Sequence, residues 1–66
     1  MNKLQQKLFY FLINQCHKDG VVNTTVHHND LCAMRPALDL REDIKHTDKR
    51  APTSPNLFIL TLELTE

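Results

Sequence analysis

Glycine is nearly absent from this chain, because Gly20 is the only one among its 66 residues. A glycine-rich loop of the kind that cradles phosphate groups is therefore excluded. An excess of either charge is absent as well, since eight Lys and Arg balance eight Asp and Glu. The chain as a whole has no electrostatic attraction for nucleic acids or anionic membranes, so a nucleic-acid role would require a local basic patch.

Cysteines and long apolar runs are equally scarce. Cys16 and Cys32 are the only cysteines, and the longest apolar run, 8–13, is far shorter than the roughly 20 residues that span a membrane. We expect no secretory signal, because the chain starts with polar residues and the run lacks a small-residue cleavage site. We therefore expect a cytoplasmic protein with reduced thiols, and a disulfide between the two cysteines is the less favoured alternative.

The apolar run 8–13 (LFYFLI) is the most informative positive feature. Apolar residues at spacings of three and four over 2–18 predict a helix, and six consecutive apolar residues cover every face of that helix. A helix that is apolar all round must be buried all round, yet so short a chain has too little material to cover both of its sides. We therefore expect self-association or a protein partner.

This helix should end at Gly20, because glycine suits the left-handed position that follows a helix. Short elements are predicted after it. Proline disfavours helical angles at the residue before it, so two short helices are predicted, the second starting at Pro36. The predicted elements are a strand Val21–Val26, a helix His28–Met34, a helix Pro36–His46, a loop Thr47–Asn56 and a strand Leu57–Leu64.

The last strand has the clearest pattern. Its alternation places one apolar set on one face, and a mixed set, Leu57, Ile59, Thr61 and Glu63, on the other. The apolar set is Phe58, Leu60, Leu62 and Leu64. We expect Leu12 and Leu60 to be core positions, and Leu57 and Ile59 to remain as uncovered apolar surface. The third helix should bury Ala37, Leu40 and Ile44.

These elements define a small single α+β domain over 1–66. The helix-turn-helix predicted over 25–46, with its final strand, resembles the winged helix-turn-helix family. The apolar positions that carry the resemblance are Val26, Leu31, Leu40 and Ile44. The resemblance implies a DNA-binding transcription regulator whose third helix reads the major groove and whose loop before the last strand is the wing. By position, the resemblance implies that the cations nearest the nucleic acid are Arg35, Arg41 and Lys45, and that Lys49 and Arg50 lie in the wing.

The charges of the predicted third helix argue against that role. Asp39, Glu42 and Asp43 would lie beside its cations and repel phosphates. The turn before the helix is also long and contains a proline, and only one convincing strand flanks the wing. A mixed-charge solvated helix face is the simpler interpretation, so nucleic-acid binding is kept as the alternative.

Metal binding and catalysis have little support in the sequence. The candidate ligands are His17, His27, His28, Cys16 and Cys32. Close pairs at zinc-site spacings are missing, so we predict no metal and no cofactor. A cysteine with a histidine and an orienting Asp19 or Asp30 is formally a nucleophile and base. So short a chain has little room for a water-excluding pocket, and we predict no enzymatic activity.

We interpret the chain as a small non-enzymatic regulator that binds and modulates a larger protein. It would act as an adaptor, inhibitor or anti-repressor does, as a homodimer or as one half of a complex. Aromatic side chains at a helix surface are typical interface anchors, because they bury large areas at low entropy cost. The residues predicted to bind protein are Phe9, Tyr10, Ile13, Leu57 and Ile59. The alternative is that Phe9, Tyr10 and Ile13 pack under the long loop and the final strand as part of a small core.

Overall fold

A computed structural model describes residues 1–65 as two helices and three strands. In chain order these are α1 (Lys3–Asp19), β1 (Val21–His27), α2 (His28–Asp39), β2 (Ile44–Arg50) and β3 (Leu57–Leu64). The strands form one antiparallel sheet in the order β1-β3-β2, and both helices pack on the same face of it. The prediction of a small α+β domain is confirmed, whereas one helix rather than two lies between β1 and β2.

Both ends of α1 are capped by its own sequence. The Asn2 side chain accepts a hydrogen bond from the Gln5 amide at 2.8 Å, and the Gln5 side chain accepts one from the Asn2 amide at 2.9 Å. This reciprocal pair satisfies two amides at the start of the helix. At the other end Gly20 has a φ of 85°, and its amide donates to the Cys16 carbonyl at 2.7 Å. Because a side chain makes this left-handed conformation cost about 1–2 kcal/mol, the predicted end at Gly20 is explained.

The prediction of two short helices is wrong, because α2 continues over 28–39 without a break at Pro36. Proline has no amide hydrogen, so it leaves the carbonyl of Cys32, four residues earlier, without its helical partner. Cys32 is exposed, and water can satisfy that carbonyl. The buried face of the helix spans the proline on both sides and fixes the helix on the sheet. Its buried residues are Leu31, Met34 and Leu38.

The segment after α2 is a strand, not the continuation of a third helix. Leu40 is 85% exposed, and Ile44–Arg50 pairs with β3 over its whole length. The prediction was wrong because Leu40 and Ile44 are four apart and imitate one helical stripe. Pairing with β3 outweighs that local preference, as tertiary contacts often do for marginal helical sequences. The loop predicted over 47–56 is accordingly reduced to 51–56.

The central strand β3 has the bounds and the faces that its alternation predicts. Leu60 and Leu62 are buried beneath the helices, and Phe58 and Leu64 pack beside them. Leu12 is buried too, so both predicted core positions are confirmed. The buried core cluster consists of Phe9, Leu12, Ile13, Cys16, Val26, Leu31, Met34, Leu38, Ile44, Leu60 and Leu62.

Candidate functional site

Three large apolar side chains of α1 are exposed. Leu4 is 77% exposed, Tyr10 60% and Phe11 62%; we call these three residues the α1 surface. Tyr10 and Phe11 border a shallow groove. The groove is also lined by Lys3, Gln6, Lys7 and Asn14. Exposed apolar side chains on one helix of a small domain make this surface a candidate site of interaction.

Phe9 and Ile13, two of the predicted contact residues, belong instead to the core of the domain. They are 5% and 4% exposed, because they share the sheet-facing side of α1 with Leu12 and Cys16. Their assignment to an exposed surface is therefore wrong. Tyr10 is exposed as predicted, and its ring packs edge-on against Phe9 with the ring centroids 5.6 Å apart. This contact orients the Tyr10 ring.

Leu57 and Ile59 lie on the outer face of the sheet, opposite the helices, and both are half-buried. Polar side chains surround them: on the same face, the Thr61 hydroxyl donates to the Asn23 side-chain oxygen at 2.6 Å. The sheet separates these two residues from the α1 surface. The structure therefore does not bring the five predicted contact residues together into one patch.

A cluster of hydrogen bonds links the end of α1 to the segment before β2. His17 Nε2 lies 2.8 Å from Asp43 Oδ2, and the Arg41 guanidinium donates to both Asp43 oxygens at 2.9 and 3.1 Å. The hydrogen bond from Arg41, with a smaller contribution from His17, holds the pKa of Asp43 below its usual value. Asp43 directly precedes β2, so the flank of α1 that carries His17 faces β2.

The opposite flank of α1 faces the side of β1. Leu4, Leu8 and Phe11 lie on that flank, because residues separated by four and three positions share one side of a helix. Leu8 is partly buried against the core, whereas Leu4 and Phe11 extend into solvent. We call these three residues the β1-side flank; it overlaps the α1 surface at Leu4 and Phe11, and Tyr10 lies outside it.

The cations implied by the winged-helix resemblance are not gathered on a reading helix. Arg35 donates to Asp48 on β2 at 2.9 Å, and Arg41 is paired with Asp43. Within residues 1–65 no third helix follows α2, so the predicted placement of these arginines on such a helix is wrong. The remaining three cations lie along the strand β2 and are exposed. They are Lys45, Lys49 and Arg50.

The two cysteines are free thiols in different environments. Cys16 is fully buried, and burial, helped by the charges of Asp43 and Glu63, raises the pKa of its thiol. Cys32 is exposed on α2, with its Sγ 3.7 Å from His28 Nε2. In the part of the chain that the structure describes, no group of three or more His, Cys, Asp and Glu side chains is placed to hold a metal ion.

We predict that Cys32 reacts with a thiol reagent more than about 100-fold faster than Cys16, because a buried thiol reacts only when the fold opens. Timed alkylation followed by mass spectrometry of peptides measures both rates. Cys32→Ser should remove the fast reaction, and denaturant should make the two thiols equivalent. Equal rates in the folded protein would show that Cys16 is not a core residue.

Leu4 and Phe11 were missed as predicted contact residues. The run 8–13 contains Phe11, but six consecutive apolar residues do not indicate which of them face outward. The most populated apolar stripe, at spacing four, does not indicate it either, because Leu4 belongs to that stripe and is 77% exposed. The members of that stripe are Leu4, Leu8, Leu12 and Cys16. Leu4 and Phe11, seven positions apart, share a side of the helix away from its buried residues. The buried residues are Phe9, Leu12, Ile13 and Cys16.

The fold and the site define a class of protein: a two-layer α+β domain with two helices on one face of an antiparallel sheet and an exposed apolar helix surface. No protein-family model, curated protein or solved structure matches the chain. Of the helices that the structure describes, none has the length and apolar character needed to cross a membrane.

Proposed function

We propose that this chain is a small non-enzymatic regulator that acts by binding protein through the α1 surface. The observation that carries the proposal is the exposure of Leu4, Tyr10 and Phe11 on a single helix. Leaving two aromatic rings more than half exposed gives the isolated domain no stability. Buried against another protein, the same rings would supply the anchor contacts that dominate binding energy.

The charge around the α1 surface indicates the chemistry of the partner. Lys3 and Lys7 line the groove beside Tyr10 and Phe11, and Asp19 is the first acidic residue of the chain. This part of the helix is therefore apolar with a positive rim. The matching surface on a regulated protein would be apolar with carboxylates at its border.

A winged helix-turn-helix DNA-binding regulator is the alternative proposal. Its support is the exposed row of Lys45, Lys49 and Arg50 on β2, next to the loop 51–56 that would serve as the wing. Against it, Arg35 and Arg41 are engaged by carboxylates. A winged-helix reader also places a helix in the major groove, and within residues 1–65 no further helix follows α2 to serve as that reader.

Affinity capture from the native host with the tagged full chain tests the proposal. Tyr10→Ala should reduce recovery of the bound protein by about 30-fold or more, as expected for an anchor residue worth 2 kcal/mol. Arg41→Ala is the matched control and should leave recovery unchanged. Circular dichroism of both variants verifies that the fold is intact.

Salt separates the two proposals. An apolar protein interface should persist from 0.1 to 0.5 M NaCl, whereas binding to DNA falls steeply over that range because counterions are released. Nuclease treatment should also leave the captured protein bound. The proposal would be overturned if Tyr10→Ala captured the same proteins as the parent, or if Arg41→Ala abolished a salt-sensitive complex with duplex DNA.

A further inference from the structure

The two edges of the sheet differ in how they are protected from pairing with other strands. The edge strand β2 carries Lys45, Asp48, Lys49 and Arg50, and charges on an edge oppose further strand pairing. The other edge strand, β1, has the sequence VVNTTVH without a Lys, Arg, Asp, Glu or Pro. β1 is therefore the edge of this sheet that lacks protection.

The outward backbone groups of β1 follow from its pairing with β3. The Leu64 amide donates to the Gly20 carbonyl at 3.0 Å, and the His28 amide donates to the Asn56 carbonyl at 2.8 Å. Even-numbered residues of β1 thus bond to β3, because bonding alternates along an antiparallel strand. The amides and carbonyls of odd-numbered residues point away from the sheet. These residues are Val21, Asn23 and Thr25.

The unprotected edge lies on the same side of the domain as the β1-side flank of α1. α1 contacts both β1 and β3, so its axis lies above the space between them. Leu8 points from α1 toward the side where β1 has no neighbouring strand, and Leu4 and Phe11 lie above it, on the side of the helix away from the sheet. An open strand edge and an apolar helix flank therefore form one continuous surface, about as long as the seven residues of β1.

We propose that this surface is the interface of a homodimer in which two copies pair their β1 strands antiparallel about a two-fold axis at Thr24. The inference rests on the proposed function, because it names a second copy as the occupant of part of the α1 surface. In this register Val22 opposes Val26 and Asn23 opposes Thr25, so all seven residues of β1 are paired. The two three-stranded sheets become one sheet of six strands.

Strand spacing brings the two α1 helices into contact in this dimer. Paired strands lie about 4.8 Å apart, so each α1, placed between β1 and β3, lies about 5 Å from the two-fold axis. The axes of the two helices are then about 10 Å apart, the distance at which helices pack. Thr24 is about 13 Å along β1 from Gly20, which is the height of Phe11 on α1. Phe11 of each copy therefore lies level with the axis, on the outer side of the helix pair.

A second copy fits this surface better than an unrelated strand does. The pairing is isologous, so both open edges are consumed in one contact and assembly stops at two copies. The outer edges of the six-stranded sheet are then the two charged β2 strands, which resist further growth. The chain has no net charge, so two copies do not repel each other. Tyr10, outside the flank, remains available to a regulated protein.

Disulfide trapping tests the register directly. Thr24 would face its own copy across the axis in a non-bonded pair, with the two Cα atoms about 4.5 Å apart. Thr24→Cys, in a Cys32→Ser background, should therefore form a disulfide-linked species of twice 7.7 kDa under mild oxidation. Thr25→Cys is the control, because its diagonal neighbour lies about 7–8 Å away and should link at least about 10-fold more slowly. Equal rates for the two variants would overturn the register.

Analytical ultracentrifugation tests the interface without a cross-link. The parent should sediment as a dimer at about 100 μM protein, whereas Thr25→Pro should be a monomer because proline removes an outward amide of the β1 edge. Arg50→Pro makes the same change at an outward position of β2 and should remain a dimer. Phe11→Asp is a second disruptive variant whose exposed position keeps the fold intact, and it should also be a monomer.

The outcomes separate this proposal from the proposed function. A parent protein that is monomeric at about 100 μM would overturn the homodimer. The proposed function would still be supported if Tyr10→Ala then reduced the amount of captured protein. A dimer that dissociates on Thr25→Pro and Phe11→Asp supports the homodimer even when Tyr10→Ala changes no capture. A dimer that survives both of those variants would overturn the β1 interface.

Discussion

Leu60→Ala should lower the free energy of unfolding by about 2–5 kcal/mol, the range measured for removing a large buried aliphatic side chain. Leu60 is fully buried at the centre of β3, with strands on both sides and helices above it, so the surrounding atoms have little freedom to fill the cavity. A domain of this size has a total stability near the low end of the usual 5–15 kcal/mol. The variant should therefore keep only about 0–3 kcal/mol of its stability.

Ile59→Ala is the matched control for Leu60→Ala, because it removes a side chain of similar size from the next residue on the opposite face. Ile59 is only half-buried, and we expect a loss of about 1 kcal/mol from burial and strand preference. Urea denaturation followed by circular dichroism measures both losses. All variants must be compared at one protein concentration, since the proposed dimerisation would make the midpoint depend on it. Equal losses would contradict the assignment of faces on β3.

The strand β3 could be predicted from the sequence because each of its residues agrees with one period. Alternation from 57 to 64 fixes both its bounds and its inner face, and no competing helical period fits the segment. The end of α1 was nearly as well determined, since Gly20 marks it, but its buried side was not, because Phe9 and Ile13 were assigned to the surface and are buried. In both elements local preference and tertiary contacts favour the same structure.

The strand β2 could not be predicted because its local pattern is ambiguous. Ile44–Arg50 is mostly polar and charged, and its inward positions after Ile44 hold His46 and Asp48 in place of apolar residues. The Asp48 carboxylate is satisfied by Arg35 of α2 at 2.9 Å, a partner thirteen residues away that no local period reveals. The strand exists because β3 offers it hydrogen bonds.

The candidate site was only partly predictable for a related reason. An apolar run indicates that some side chains lack a core to enter, and Tyr10 was correctly placed outside. Which other residues remain exposed depends on how far the second helix and the sheet reach around α1. The area of α1 that they cover depends on the length of α2 and on the strand order. Both depend on contacts between residues distant in sequence, which local patterns do not show.

Pro36 is the residue that most misled the sequence prediction, and its replacement should stabilise the protein. It lies inside α2, where it removes a hydrogen bond to the Cys32 carbonyl and its ring crowds the preceding turn, a combination that costs an interior helical position about 3 kcal/mol. Pro36 is also exposed, so Ala loses little packing. Alanine also gives the unfolded chain more conformational freedom than proline does, which lowers the expected gain in stability by about 0.4–1 kcal/mol.

We therefore expect Pro36→Ala to raise the free energy of unfolding by about 2–2.6 kcal/mol, the helical cost of proline less the unfolded-state term, measured by urea denaturation beside the parent. Pro55→Ala is the control: Pro55 lies in the exposed loop 51–56, where alanine relieves no helical strain, so that variant should be unchanged or slightly less stable. Destabilisation by Pro36→Ala would mean that α2 needs the bend its proline imposes to seat Leu31 and Leu38 on the sheet. Stabilisation would instead mean that α2 is helical in spite of its proline, because the buried residues before and after Pro36 hold it on the sheet. Arg35-Pro36 misled the prediction because these contacts are not visible in the local sequence.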